Sequence, residues 1–211
     1  MFITFEGIEG SGKTTLMHAV VGALRKQRRA VVKTHEPGGT PVGDRIRAIF
    51  LDRALTISPL AEALLLNASR AHLVAEVIEP ALQRGQIVLC DRFIDSTLAY
   101  QGYGRGLDLS MLHNLSDTAA RGRLPDVTFF VDISVALSRE RVASRERADG
   151  QAQDRLDRED DAFHERVRGG YLELARSNQE RIHVLDGTMP QAQLAASAVE
   201  ALQAYEKIPT R

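Results

Sequence analysis

Five short runs of apolar and β-branched residues are spaced along the chain, and most of them are followed closely by Gly, Asp or Pro. Runs of this length and composition, bounded by such residues, are typical of buried β-strands. They occupy residues 2–5, 31–34, 87–90, 127–131 and 182–185. The pattern therefore predicts a sheet of about five strands.

The stretches between these runs have the apolar spacing of amphipathic helices. One stripe consists of Leu16, Val20, Ala23 and Leu24, and another consists of Phe163, Val167 and Leu174. Because parallel strands are joined by helical crossovers, the alternation predicts an α/β fold with a parallel sheet and helices on both faces. Ligands of such sheets lie beyond the carboxyl ends of the strands. The corresponding loops follow residues 6, 35, 91 and 132.

The last helical stretch has a recognisable start. Thr188 and Gln191 stand three residues apart, as in a capping box, and Pro190 suits the first helical turn. We therefore expect a final helix whose N-terminal cap is Thr188.

The loop after the first strand matches the pattern G-x-x-x-x-G-K-[ST] in full, from Gly7 to Thr14. Glycines let the backbone turn so that successive N–H groups face phosphate oxygens, and the helix that follows adds the positive end of its dipole. Lys13 is placed to reach the β- and γ-phosphates, and the Thr14 hydroxyl is placed to ligate Mg²⁺. The motif predicts a fold of the P-loop NTPase type. The predicted ATP-binding residues are Gly7, Ile8, Glu9, Gly10, Ser11, Gly12, Lys13, Thr14 and Thr15.

A phosphate loop alone does not separate motors, switches and kinases. The strings D-x-x-G and N-K-x-D, which a GTPase would carry, do not occur in the sequence, and this disfavours a switch GTPase. Two interpretations remain: a kinase of a nucleoside or nucleoside monophosphate, and a regulatory protein that hydrolyses ATP to associate with a partner.

Three further motifs lie beyond the strands. Residues 36–40 read E-P-G-G-T, residues 91–93 read D-R-F, and residues 96–102 read S-T-L-A-Y-Q-G. In order and spacing these motifs and the phosphate loop resemble the thymidylate kinase family, from about residue 2 to about residue 174. The E-P-G-G-T and D-R-F motifs favour a kinase, because a regulatory ATPase has no need of a second phosphate-binding site.

The resemblance implies which residues hold the acceptor phosphate and the metal. Arg47 and Arg92 match the residues that hold the phosphate of the acceptor nucleotide, and each guanidinium offers a planar fork of donors to a dianion. Asp91 matches the acidic residue near Mg²⁺, which Thr14 also ligates. Glu9 matches a carboxylate that approaches the sugar hydroxyl and phosphate of the acceptor. From the residues alone, Arg47 and Arg92 also fit surface ion pairs, and Asp91 also fits a turn cap.

The resemblance also implies a site for the thymine base. Arg70 would donate to a base carbonyl, Thr97 and Gln101 would orient the ring, and Tyr100 would crowd the 2′ position of the sugar. Leu66 stands where the family has a Phe that stacks on the base. His35 and Phe93 likewise replace a common Arg and a common Tyr. Without the resemblance, packing or a helix surface would account for the four matching side chains almost equally well.

A lid is the last element that the resemblance implies, at residues 141–158. The segment carries Arg145, Arg147 and Arg155, and the variable positions of the phosphate loop contain no Arg or Lys. In bacterial relatives the lid supplies the cation that stabilises the developing charge. We therefore expect Arg145 or Arg147, with Arg155, to be catalytic together with Lys13 and the acceptor-site residues Glu9, Asp91 and Arg92. The plainer interpretation of this charged stretch is a solvated helix with i, i+4 salt bridges.

Composition excludes several other classes. A net charge of −1, from 27 basic and 28 acidic residues, argues against a broad nucleic-acid-binding surface. Cys90 is the only cysteine, which excludes an intrachain disulfide and a multi-cysteine zinc site. No uncharged apolar run approaches the ~20 residues of a membrane span, and the N-terminus is too acidic at Glu6 for a signal peptide. We expect a cytoplasmic protein without a membrane partner.

These observations give one overall expectation. Residues 1–211 form a single kinase domain with a small mobile lid. The resemblance implies Mg²⁺-dependent transfer of the γ-phosphate of ATP to dTMP, and a homodimer.

Overall fold

The computed structural model of the protein describes residues 1–149 and 154–206. Within these residues one sheet contains five strands, all parallel, in the order β2-β3-β1-β4-β5. The strands are β1 (Phe2–Glu6), β2 (Val31–His35), β3 (Ile87–Asp91), β4 (Val127–Asp132) and β5 (Ile182–Asp186). The predicted α/β fold with a parallel sheet is confirmed.

Every strand extends one residue beyond its predicted apolar run. The added residues are all polar, and they lie at the carboxyl edge of the sheet: Glu6, His35, Asp91, Asp132 and Asp186. Because parallel strands end at the same edge, the fold gathers these side chains and the loops that follow them on one side of the molecule.

Helices connect the strands. The α-helices are α1 (Lys13–Lys26), α2 (Pro41–Leu51), α3 (Pro59–Leu73), α4 (Glu79–Gln83), α5 (Ile94–Thr97), α6 (Leu109–Ala120), α7 (Val135–Asp149), α8 (Asp161–Ser177) and α9 (Gln191–Glu206). A π-helical segment, Val74–Ile78, joins α3 to α4, and a second one, Leu98–Gly104, follows α5. Such i→i+5 turns are frequent at functional sites.

The sheet has a separate hydrophobic core on each face. Because side chains alternate along a strand, Phe2 of β1 faces one core and Ile3 faces the other. Helices α1 and α9 cover the Ile3 side through residues that include Leu16, Val20 and Leu194. Helices α3, α4, α6 and α8 cover the Phe2 side. The expected arrangement, with helices on both faces, is therefore present.

The starts of α7 and α9 differ. The Ser134 hydroxyl caps α7, because it accepts from the backbone N–H of Leu137 at 3.2 Å. The predicted cap of α9 is wrong: the helix begins at Gln191, and the Thr188 hydroxyl donates to Asp186 at 2.6 Å instead. The hydroxyl that was expected to cap the helix thus bonds instead to the aspartate that ends β5.

The predicted lid segment, 141–158, is described on both sides of residues 150–153. Its first part is the end of α7, and its second part consists of turns between residues 154 and 159. The Asp-Gly dipeptide at residues 149–150 is typical of a turn, and its glycine lies outside the described residues. Among the helices of the described ranges, none is long and apolar enough to cross a membrane.

Candidate active site

The phosphate loop leaves β1 in a conformation that requires glycine. Gly7 has a φ of +146°, and a Cβ there would lie 2.7 Å from both the Ser11 hydroxyl and the Val131 carbonyl oxygen. Gly12 has a left-handed φ of +93° immediately before α1 begins at Lys13. Side chains at either position would be strained. The glycines of the motif therefore serve to bring the backbone round into the N-terminus of α1.

Helix α7 supports this loop from the side. The Ser138 hydroxyl donates to the Glu9 carbonyl oxygen at 2.6 Å. Arg141 donates to the carbonyl oxygens of Gly10 at 3.3 Å and Gly187 at 3.0 Å. The bonds to Glu9 and Gly10 satisfy carbonyls of the loop, which leaves backbone N–H groups of the loop other than that of Ser11 for an anion.

Glu9 is the point at which positive charge converges on the loop. Its carboxylate lies 3.3 Å from Lys13 Nζ, 3.6 Å from an Arg92 nitrogen and 3.0 Å from an Arg145 nitrogen. Lys13 is the main reason that the pKa of Glu9 lies far below its ordinary value, with Arg92 and Arg145 contributing and burial opposing. The carboxylate is therefore ionised, and it holds the three cations together beside the phosphate loop.

Thr14 and Asp91 were predicted as metal ligands, and the fold brings them together from 77 residues apart. The Thr14 hydroxyl donates to Asp91 Oδ2 at 2.5 Å. A hydroxyl and a carboxylate oxygen form the hard oxygen donor set that Mg²⁺ takes, usually completed by water and substrate phosphates. The described residues contain no group of three or more His, Cys, Asp or Glu side chains that could hold a metal. The pair thus fits a magnesium ion that is shared with a nucleotide.

Arg92 is held rigidly at the end of β3. Its φ is +70°, an uncommon value for a residue with a Cβ, and such strain clusters at functional sites. The guanidinium donates to Ser96 and Tyr171 at 3.1 Å each and to the Tyr100 hydroxyl at 3.3 Å. It also lies 5.0 Å from the centre of the Tyr100 ring. Protein partners therefore fix the position of the Arg92 guanidinium.

A cleft that is partly open to solvent lies next to Arg92, and the space within it, including the part open to solvent, is about 690 Å³. All eight residues predicted to bind the acceptor line it: Glu9, Arg47, Leu66, Arg70, Arg92, Thr97, Tyr100 and Gln101. The side chain of Arg47 also donates to the Pro37 carbonyl oxygen at 3.1 Å. Segments separated by as many as 92 residues, from Glu9 to Gln101, are thus combined in one cavity.

Arg70 has protein partners for all of its hydrogen-bond donors. Its guanidinium is 1% exposed and donates from Nε and one terminal nitrogen to Glu36, with a closest approach of 2.6 Å. The other donors reach Asn67 at 2.9 Å, Ser116 at 3.3 Å and Thr97 at 2.9 Å. A guanidinium has five N–H groups, and all five are used here. The expected bond to a base carbonyl therefore requires Arg70 to exchange a partner, and two of its partners, Glu36 and Thr97, also line the cleft.

Gln101 differs from Arg70 in having an unused group. It lies on the π-helical segment Leu98–Gly104, and its amide nitrogen donates to Glu62 at 3.0 Å. Its Oε1 is buried and accepts no hydrogen bond. A buried acceptor without a partner is costly, and it marks a place where a ligand donor would fit.

Glu62 was not predicted, although the sequence carried a signal for it. It is fully buried on α3 and precedes Leu66 and Arg70 by one and two helical turns on the same face. A charged residue on the buried face of a helix indicates a buried partner. The partners that the structure supplies are Gln101, Arg105 and Arg155.

The three predicted lid arginines have different surroundings. Arg145 reaches Glu9 of the phosphate loop. Arg147 is exposed and donates to Ser144 on its own helix at 3.2 Å. Arg155 contacts Glu62 at 2.5 Å and the Phe50 carbonyl oxygen at 3.1 Å, at the rim of the acceptor cleft. Only Arg145 of the three therefore lies against the phosphate loop in this structure.

A second buried carboxylate, Glu6, was also missed. It accepts from Phe93 N–H at 2.8 Å, from the Ser96 hydroxyl at 2.5 Å and from the Tyr171 hydroxyl at 2.9 Å. Burial and the nearby Asp95 raise its pKa to about 7. Since Ser96 and Tyr171 are also partners of Arg92, this network supports the acceptor-site arginine from below.

Comparisons of the sequence and of the structure with known proteins point to the same family. The family described as thymidylate kinase matches residues 5–198. The thymidylate kinase of Deinococcus radiodurans is 50% identical over 196 residues, 93% of each chain, and that of Roseiflexus sp. (strain RS-1) is 45% identical over 219 residues, 100% of this chain and 97% of the relative. A crystal structure of thymidylate kinase from Ehrlichia chaffeensis superposes with a TM-score of 0.77 at 35% identity, covering 96% of this chain and 98% of that one. The chain belongs to the thymidylate kinase family.

Proposed function

We propose that this protein is an ATP-dependent thymidylate kinase, which transfers the γ-phosphate of ATP to dTMP and yields dTDP and ADP. The observation that carries the proposal, beyond family membership, is the convergence at Glu9. Lys13 of the phosphate loop and Arg92 of the acceptor cleft both pair with this one carboxylate. Two anions bound by these cations would therefore be neighbours, and phosphoryl transfer requires this proximity.

The donor nucleotide is proposed to bind along residues 7–15. Loop N–H groups and the N-terminus of α1 would contact its phosphate oxygens, and Lys13 would reach the β- and γ-phosphates. Mg²⁺ would be held by Thr14 and Asp91, and when bound it neutralises charge on the transferring phosphate. The Thr14 hydroxyl and the Asp91 carboxylate supply the oxygen ligands for this role.

The acceptor phosphate is proposed to bind between Arg47 and Arg92. A monophosphate oxygen then attacks the γ-phosphorus, the bond from phosphorus to the bridging oxygen breaks, and ADP leaves. The ionised Glu9 carboxylate pairs with Lys13, Arg92 and Arg145 and would keep these cations aligned. The phosphates would then replace Glu9 as the partner of the cations. No side-chain nucleophile takes part in this transfer.

The thymine base is proposed to lie against Leu66, with Tyr100 near the sugar. Gln101 Oε1, which is buried without a partner, would accept from N3–H of the base. Arg70 would donate to the neighbouring base carbonyl in exchange for its bond to Thr97. A cleft that supplies an acceptor and a donor in this order complements thymine.

The lid is proposed to span residues 141–158 and to exclude water during transfer, since water would otherwise accept the phosphoryl group. Arg145 is the best placed of its arginines to stabilise the developing charge, because it already reaches Glu9. Arg155 is proposed to close the lid onto the acceptor through Glu62. Arg147 would have to turn away from Ser144 to contribute.

A homodimer is also proposed. Four large apolar side chains are about half exposed on α2 and α3: Val42, Ile49, Leu60 and Leu64. Because α2 and α3 pack against each other, exposed apolar side chains on both helices suit an interaction site, and a second copy of the chain is the simplest partner. Light scattering after gel filtration should give twice the chain mass for the native protein and the monomer mass for a variant that combines Leu60→Asp with Leu64→Asp. A native protein at the monomer mass would exclude the dimer.

The test of the proposed reaction is an ADP-release assay with ATP and Mg²⁺ against dTMP, dUMP, dCMP, dGMP, UMP and AMP. Strong preference for dTMP is expected. Preference for another monophosphate would retain the phosphate chemistry but overturn the acceptor. ADP release that no monophosphate stimulates would favour the regulatory ATPase.

A location in the cytoplasm, where ATP is abundant, is part of the same proposal.

A further inference from the structure

A single buried carboxylate, Glu62, joins the lid to the floor of the acceptor cleft. Its Oε1 accepts from Arg105 at 3.0 Å and from Arg155 at 2.5 Å. Its Oε2 accepts from the Gln101 amide nitrogen at 3.0 Å and from Arg105 Nε at 3.3 Å. Glu62 itself does not line the cleft, whereas Gln101 does. The carboxylate therefore holds Gln101 from behind.

An ionised carboxylate accepts hydrogen bonds and donates none. Both Glu62 oxygens accept from guanidinium N–H groups of Arg105, and Oε1 also accepts from Arg155, so this ion-paired carboxylate faces the NH₂ end of the Gln101 amide. The oxygen of that amide is consequently the end that remains for the cleft, and it is the atom left buried without a partner. Glu62 thus decides whether Gln101 presents an acceptor or a donor.

This orientation has a direct consequence for base choice. Thymine carries a hydrogen on N3, which an acceptor satisfies, whereas cytosine carries a lone pair on N3, which faces an acceptor unfavourably. A site built to hydrogen-bond one group rejects the analogue that lacks it, because the buried polar atom of the site is left unpaired. We propose that Glu62 is a specificity-determining positioning residue, which selects thymine over cytosine by fixing the Gln101 amide. The inference rests on the proposed acceptor site.

The variant Glu62→Gln tests the proposed role of Glu62, because the surrounding arginines should fix the orientation of the new amide. Arg155 and the Arg105 terminal nitrogen both donate to the Oε1 position, so the oxygen of the new Gln should take that place. Its NH₂ group then faces Gln101, and the longer 3.3 Å bond from Arg105 Nε is lost. A donor at that point favours the flipped Gln101 amide, with its NH₂ group toward the cleft. The flipped amide suits N3 of cytosine.

The experiment measures kcat/KM for dTMP and for dCMP in the wild type, Glu62→Gln and a matched control, Glu159→Gln. Glu159 pairs with the same Arg105 at 2.6 Å but has no contact with Gln101. We expect Glu62→Gln to raise the dCMP-to-dTMP ratio of kcat/KM by about tenfold or more, the scale of one mispaired hydrogen bond. The ratio for Glu159→Gln should stay at the wild-type value.

Two outcomes would overturn the proposal. One is an equal loss for both acceptors in Glu62→Gln, which would make Glu62 a purely structural residue. The other is the result for Gln101→Leu, a variant that lacks the amide altogether. This variant tests the proposal even if Glu62→Gln does not fold. It should lose dTMP activity and raise the dCMP-to-dTMP ratio toward one, and an unchanged ratio would show that Gln101 does not contact the base. A wild type that prefers a different monophosphate would instead refute the proposed function itself.

Discussion

The phosphate loop and the acceptor cleft meet at Glu9, but they are constructed differently. The loop is one contiguous motif, in which glycine backbone and the N-terminus of α1 provide the binding groups. The cleft takes its side chains from segments along most of the chain, and those side chains already bond to one another, as Arg70 does to Glu36 and Thr97. In the proposed function a phosphate would thus be bound by backbone that local sequence shapes, whereas a base would be recognised by side chains that tertiary structure positions.

The largest effect that this comparison predicts is on Lys13, the side chain of the loop that acts by charge. Lys13→Ala should lower kcat with dTMP by about 10³-fold or more, because a cation on the transferring phosphate is removed. Steady-state ADP release measures this loss. The dissociation constant of dTMP should change little, and circular dichroism should show an intact fold. Retention of a tenth of the wild-type rate would mean that the loop does not supply the main charge stabilisation.

A matched pair of lid arginines gives the next largest effect. Arg145 reaches Glu9, while Arg147, two residues further along the same helix, donates to Ser144 within the described residues. Arg145→Ala should therefore lower kcat by about 10²-fold or more, and Arg147→Ala by no more than a few-fold. Single-turnover measurements with saturating ATP and dTMP separate this effect from product release. Equal losses in the two variants would show that the lid rearranges before transfer so that Arg147 also reaches the phosphates.

The network beneath Arg92 should respond to pH. The raised pKa of Glu6, about 7, means that the native state keeps this proton above the pH at which the unfolded chain releases it. The stabilisation is therefore complete below about pH 4.5 and is lost as the pH rises toward 7. Glu6→Gln has no such proton, so its free energy of unfolding should decline less than that of the wild type between pH 5 and pH 7.5, by up to about 3 kcal/mol. Parallel urea titrations of both proteins measure the difference, and identical pH slopes would contradict the raised pKa.

The sequence alone was sufficient to predict the sheet and the phosphate loop. All five strands lie where the β-branched runs predicted them, because a buried parallel strand leaves a continuous apolar signal. The turns of the phosphate loop follow from the glycines at fixed spacing, since few other residues adopt a φ such as that of Gly7. In both cases the determining interactions are local in sequence or depend only on hydrophobic pattern.

The polar networks could not be predicted in the same way. Glu6 and Tyr171 are 165 residues apart, and the Glu62 partners lie 39 to 93 residues away. Nothing in a local pattern states which donor a buried carboxylate will meet. The predicted cap of α9 failed for a related reason, because the Thr188 hydroxyl is engaged as a donor to Asp186 and the helix begins only at Gln191. The resemblance to a family identified the lining residues of the cleft, but it did not identify the side chains that orient them.

The most direct test of the separation between the two sites is calorimetry on Arg92→Ala. Alanine adds no new backbone strain there, because Arg92 already holds a Cβ at a φ of +70°. The wild type and the variant are each titrated with dTMP and, separately, with a non-hydrolysable ATP analogue and Mg²⁺. The account predicts that the variant binds dTMP about 10²-fold more weakly, as expected for the loss of charge-assisted hydrogen bonds, and that its affinity for the ATP analogue is nearly unchanged. Equal weakening of both ligands would contradict the division into a phosphate loop for the donor and a separate cleft for the acceptor.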